Sequence, residues 1–133
     1  MLASTMRTDT PVAQIATSDV AEFAVTRLTN LDFDGKVTRE LLGPSDVSMT
    51  DVATAIGRAI GNETLTVQEI SYDDARRHML GMGASESVVD SMIELNQAFN
   101  EGRWSPTEQR RPENTTPTTI DQFSTIFTNM INK

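Results

Sequence analysis

The sequence predicts an α/β chain of two or three short strands and about five helices, and three stretches carry that expectation. Ser48 and Asp51 form an S-x-x-D variant of the capping box, followed by Val52, Ile56 and Ile60 on one helical face and closed by Gly61. "LTVQEI" is β-branched and alternates at first, which is a strand pattern. Val88, Met92, Leu95 and Phe99 recur at helical spacing up to Gly102, tracing one apolar stripe whose simplest role is core packing.

The remaining elements follow in order. Residues 1–10 read as an N-terminal extension preceding a domain that occupies 11–133. "PVAQIATSDVAEFAVTRLTN" begins extended, with Val12 and Ile15 as apolar anchors. Val20, Ala24 and Leu28 then recur every four residues beside Phe23, so a short strand feeds a helix. Ser18 is the expected N-cap, with Asp19 and Glu22 in the first turn, where carboxylates favour the positive end of the helix dipole. Asp34-Gly35 supplies a turn before the strand candidate "KVTRELLG". Ser71 opens a short helix, "RWSPTEQRRPENTTPT" reads as a surface loop, and Thr118 with Asp121 repeats the capping pattern before Ile120, Phe123, Ile126, Phe127 and Met130.

"GMGASESVVDSM" raises the question of a dinucleotide loop. The G-x-G-x-x-G fingerprint uses three glycines after a strand to bring the backbone against a pyrophosphate. Here Glu86 takes the third position, where its carboxylate would repel phosphates, and the preceding "YDDARRHML" has helical spacing. The glycines therefore stop one helix before Ser85 caps the next.

At 133 residues the chain has one domain's length, and its 38% hydrophobic and 23% charged residues are ordinary for a folded protein. A net charge of -8 without a basic, aromatic-interleaved stripe argues against a nucleic-acid partner. No stretch approaches the roughly 20 apolar residues that span a bilayer, and "MLASTMRTDTP" lacks the apolar segment of a signal peptide. A cytoplasmic protein without a membrane partner is expected. Zero cysteines exclude disulfide and thiol chemistry, and His78 is the only histidine, so no transition-metal set exists. The two N-x-T sequons, at Asn62 and Asn114, read as turns.

Catalytic constellations are equally sparse. "GPSDVS" is not a nucleophile elbow, and one imidazole leaves little for a self-contained triad. Asp73 and Asp74 are helix neighbours about 100° apart, so they act as first-turn charges and not as an acid-base pair. "DFDG" lacks the later ligands of a calcium loop and reads as a turn.

An ordered set of segments carries a resemblance: "IATSDVAEFAVTRLTN", "ELLGPSDVSMTDVATAIGRAIG", "LTVQEISYDDARRHMLGMG", "LNQAFNEGRW" and "TPTTIDQF". From about Pro11 onward the chain resembles the C-terminal, substrate-side half of NmrA-like proteins, which are atypical short-chain dehydrogenase/reductases. The most specific pieces are the L-x-G-P turn at Leu41 to Pro44 and "TPTTIDQF". The resemblance implies that complete members bind NAD(P) in an N-terminal Rossmann half, absent here, and either reduce a small acceptor such as a quinone or serve as redox sensors. It implies no cofactor and no catalytic residue for this chain alone. Tyr72 and Arg76 differ from the wider family's Y-x-x-x-K pair and lie in the wrong half of the pattern, so no role is carried onto them. The resemblance nominates Asn96, Phe99 and Trp104 as lining a substrate pocket; the alternative is that Phe99 packs as core and Trp104 covers the helix end.

Two further readings stand beside this one. The chain could be a stand-alone small-molecule-binding or protein-interaction module, or, ranked last, a small lyase or isomerase built from carboxylates and Tyr72. Loss of a packing half would uncover apolar surface, so a homodimer is expected, with Val12 to Ile15 and the helix carrying Phe23 as its surface.

Overall fold

The computed structural model describes residues 1–31 and 33–131. In chain order its elements are β1 (Leu2–Ser4), α1 (Thr17–Asn30), α2 (Met49–Ala59), β2 (Val67–Glu69), α3 (Tyr72–Gly81), α4 (Glu86–Asn100) and α5 (Ile120–Ile131). They divide into two compact units. One comprises Met1–Pro11 and Ser48–Ser105, the other Val12–Val47 and Pro106–Lys133.

In the first unit β1 and β2 form a two-stranded parallel sheet, with Leu2 opposite Val67 and Ser4 opposite Glu69. Backbone bonds from Leu2 N–H to the Thr66 carbonyl at 2.8 Å and from Ile70 N–H to the Ser4 carbonyl at 2.9 Å close its two ends. The stretch set aside as an extension thus supplies a strand of this sheet. Each helix of this unit is bounded by the expected chemistry. Ser48 and Asp51 make the complete reciprocal capping box of α2, and Ser71 and Ser85 cap α3 and α4. "GMG" is a Schellman end: Gly83 sits at φ 88°, its N–H reaches the Leu80 carbonyl at 3.0 Å, and Ala84 N–H reaches that of Met79 at 3.1 Å. The same geometry recurs at Gly61 and Gly102, where positive φ turns the chain out of α2 and α4.

The second unit holds α1 and α5, joined to irregular segments by a few long-range bonds. Two expected strands do not form. Val12 makes one antiparallel bridge, to Val47, and a local bond from Gln14 N–H to the Val12 carbonyl turns the chain away. In "KVTRELLG" only Leu42 pairs, in a bridge to Thr115, and Val37 is exposed. An alternating sequence becomes a strand only beside a second edge, and neither segment has one among the described residues. Ser18 does not cap α1: the helix begins at Thr17 after Ala16, with no side-chain cap. The capping box of α5 lies one residue later than expected. Thr119 Oγ1 accepts from Gln122 N–H at 3.2 Å, and Gln122 Oε1 accepts from Thr119 N–H at 2.9 Å. "DFDG" includes Asp32, which lies outside the described residues; Gly35 turns at φ 66°.

The buried apolar side chains are mostly small. Ala53, Ala55, Ala75 and Val89 fill the first unit, and Ala16 and Leu42 the second. Large side chains instead face outward on α1, α4 and α5. The stripe read as core is among them. Val88, Met92 and Leu95 are 54%, 44% and 43% exposed, whereas their neighbour Val89 is fully enclosed.

Candidate functional site

Helix α4 positions the candidate site by presenting two faces with different chemistry. Its inner face carries Val89, Asn96 and Asn100. The Asn96 amide donates to Thr5 Oγ1 at 2.7 Å. Asn100 uses both ends of its amide: Nδ2 donates to the Thr5 carbonyl and to the Tyr72 hydroxyl, each at 2.7 Å, and Oδ1 accepts from Arg7 N–H at 2.8 Å. Residues four apart on a helix stack along one face, so the two asparagines together hold the backbone that leaves β1.

The outer face carries the exposed Val88, Met92 and Leu95 and the half-buried Phe99, and it continues beyond the helix end. Gly102 takes φ 66°, its N–H reaches the Phe99 carbonyl at 3.1 Å, and Arg103 N–H reaches that of Ala98 at 2.9 Å. That Schellman turn folds the chain back and sets Trp104 against Phe99, edge to face, with ring centroids 4.7 Å apart at 62°. Trp104 remains 42% exposed. The result is an apolar strip ending in an aromatic pair, with no ionisable side chain among its five residues. Such a surface can pack a planar apolar molecule and displace water from it. It cannot by itself give or take a proton.

The three nominated residues are therefore only partly together. Phe99 and Trp104 meet at the end of the strip, whereas the Asn96 amide is occupied with Thr5. Tyr72 and Arg76 also part company, because the tyrosine hydroxyl accepts from Asn100 while Arg76 pairs with Asp90 across α3 and α4. His78 is exposed in the last turn of α3. Asn100, Thr5 and Arg7 were not legible as a set, since their contacts span more than ninety residues.

A second polar arrangement lies in the other unit. Asp19 in the first turn of α1 is only 7% exposed. Its burial opposes ionisation, but hydrogen bonds from the Thr118 hydroxyl and N–H, with the Thr116 and Ser18 hydroxyls, together hold its carboxyl below the usual range. Asn114, also buried, accepts Arg111 N–H at 2.7 Å and donates to the Gln109 carbonyl at 3.1 Å, shaping the turn that meets Leu42. These are positioning groups enclosed by the chain.

No family model matches this chain. A curated NAD(P)H azoreductase of Xenophilus azovorans is 34% identical over 84 residues, which is 63% of this chain and 29% of that protein. The solved triphenylmethane reductase of Citrobacter sp., complexed with NADP(H), superposes at a TM-score of 0.66 and 17% identity, covering 94% of this chain and 44% of that one. The chain thus has the fold of part of that reductase, and spans less than half the length of either relative. It is similar to portions of reductases that use nicotinamide nucleotides. Among the described residues no helix is long and apolar enough to cross a membrane.

Proposed function

We propose that the chain is the C-terminal, acceptor-side portion of an NmrA-like NAD(P)H-dependent reductase or redox sensor, and that it neither binds NAD(P)H nor catalyses by itself. Its role in that reading is to supply one wall of an acceptor pocket. The strip Met92, Leu95, Phe99 and Trp104 is that wall. The acceptor is a planar apolar molecule of the quinone type, and reducing equivalents come from a nucleotide held by a separate Rossmann half.

The observation that carries the proposal is the exposed stripe Val88, Met92 and Leu95 of α4, continued by the Phe99–Trp104 pair across a Schellman turn. Large exposed apolar surfaces mark ligand or partner sites, because water contact with them is costly. Likeness to the azoreductase and the triphenylmethane reductase supports the reductase class. The residues present do not fit a dinucleotide: the one G-x-G stretch joins two helices, and Glu86 opens the helix whose N-terminus would face phosphates.

Trp104 is the only tryptophan, which makes the wall directly observable. Titration with naphthoquinone should quench its fluorescence saturably, and Leu95→Glu should abolish the saturable phase. Quenching that stays linear with concentration, or that is indifferent to Leu95→Glu, would contradict the assignment.

A second reading keeps support from one observation. The first ten residues complete the sheet of the first unit and are held by Asn96 and Asn100, an arrangement equally suited to a small binding module.

A further inference from the structure

The second unit contains a groove of about 740 Å³ between α1 and the segment that follows it. That volume falls within the range of roughly 300–1,000 Å³ used by small-molecule sites. Its apolar lining comes from Phe23, Ala24, Leu28, Phe33 and Val37. Among the described residues, three cationic side chains, Arg27, Lys36 and Arg39, also line it, against a single acidic one, Glu113. The chain has 11 basic and 19 acidic residues, so the excess of positive charge in the groove runs opposite to the molecule as a whole.

Local backbone geometry builds the groove. Leu31 ends α1 in the left-handed region at φ 49°, its N–H bonded to the Arg27 carbonyl at 3.1 Å, and Gly35 turns the chain again at φ 66°. Arg27 lies over the Phe33 ring, its guanidinium carbon 5.7 Å from the ring centroid. Arg39 stands 3.9 Å from Glu108, a distance that fixes its side chain loosely.

We infer that this groove binds a small planar aromatic anion, its ring against Phe23, Phe33 and Val37 and its carboxylate or equivalent group toward Lys36 and Arg39. Apolar floor and cationic rim each recognise one half of such a ligand. A neutral aromatic would use only the first, and an inorganic anion only the second. The site is separate from the α4 wall and does not depend on the reductase reading.

The test is titration of the chain with naphthoate and with neutral naphthylmethanol, by calorimetry and by amide chemical shifts. Naphthoate should bind with shifts confined to residues 23–39, and naphthylmethanol about tenfold more weakly, as expected for loss of one charge-assisted contact. Lys36→Gln with Arg39→Gln should weaken naphthoate by about tenfold and leave naphthylmethanol unchanged. Lys36→Gln alone, at an exposed position, should give part of that loss in a chain whose circular dichroism is unaltered. Absence of naphthoate binding, equal binding of the two ligands, indifference to the substitutions, or shifts centred on Leu95 and Trp104 would each overturn the inference.

Discussion

The carboxylate of Asp19 holds Thr118 at both of its donors. Oδ2 accepts the backbone N–H at 3.0 Å and Oδ1 accepts the hydroxyl at 2.6 Å, across 99 residues of sequence. A first-turn acid that reads as a dipole partner for α1 therefore also fixes the chain just before α5. Its position at the helix N-terminus and its satisfied oxygens explain why a carboxylate is tolerated in so enclosed a place.

Stability should consequently depend on pH in a defined direction. Asp19 titrates lower in the folded chain than in the unfolded one, so its contribution is complete above the ordinary carboxylate range near about pH 4 and is lost as pH falls through the folded value. Urea unfolding at pH 7 and pH 3 should show a larger loss for the native chain than for Asp19→Asn. Thr118→Val, which removes one donor, should cost about 1–3 kcal/mol at neutral pH. A substitution at Asp19 that left the pH slope unchanged would refute this role.

Asn100→Ala should release the segment after β1. Three hydrogen bonds at a half-buried position disappear, and an unmade buried bond costs about 1–3 kcal/mol. Hydrogen exchange at Leu2 and Ile70, whose amides close the parallel sheet, should accelerate more than exchange in α5. Uniform exchange across the chain would show that the asparagine does not anchor the sheet.

Gly43→Ala should be among the most damaging single changes. A Cβ there would lie 1.8 Å from the Gln14 carbonyl oxygen, a backbone atom that cannot rotate aside. Overpacking commonly costs about 1–3 kcal/mol, and this contact belongs at or beyond the upper end. Thermal melting of the variant is the check; an unchanged midpoint would mean that the two segments do not approach so closely.

What was legible in the sequence was local. Ser48 with Asp51, Ser71, Ser85 and the three helix-ending glycines act within a turn of their own helices, so spacing alone reveals them. What failed was whatever needs a distant neighbour. "KVTRELLG" has strand chemistry but no companion edge, while "LAS", too short to signal, becomes β1 because Val67–Glu69 lies beside it. Periodicity located the α4 stripe correctly but not its direction. A helical stripe is the same pattern whether it meets a core, a ligand or another chain. Of the residues that the resemblance nominates, Asn96, Phe99 and Trp104, the hydrogen bond that ties Asn96 to Thr5, ninety-one residues away, was not legible.

Self-association is the expected behaviour of a chain with so many large apolar side chains outside. Phe123, Ile126 and Phe127 on α5, and Val20 and Val25 on α1, the helix that carries Phe23, are exposed, whereas Val12, Ile15 and Phe23 itself are half-buried. A two-fold homodimer buries the same patch twice. Light scattering at micromolar concentration should give about twice 14.6 kDa, reduced to the single mass by Ile126→Glu. A native monomer would favour the stand-alone module.

The most direct test of the central claim is calorimetric titration of this chain with NADPH. An acceptor-side portion whose only G-x-G stretch ends a helix should give no binding heat at concentrations where an organised nucleotide site would be saturated. A dissociation constant in the low micromolar range, about -8 kcal/mol, would contradict the account, because that affinity requires a built dinucleotide site within these residues.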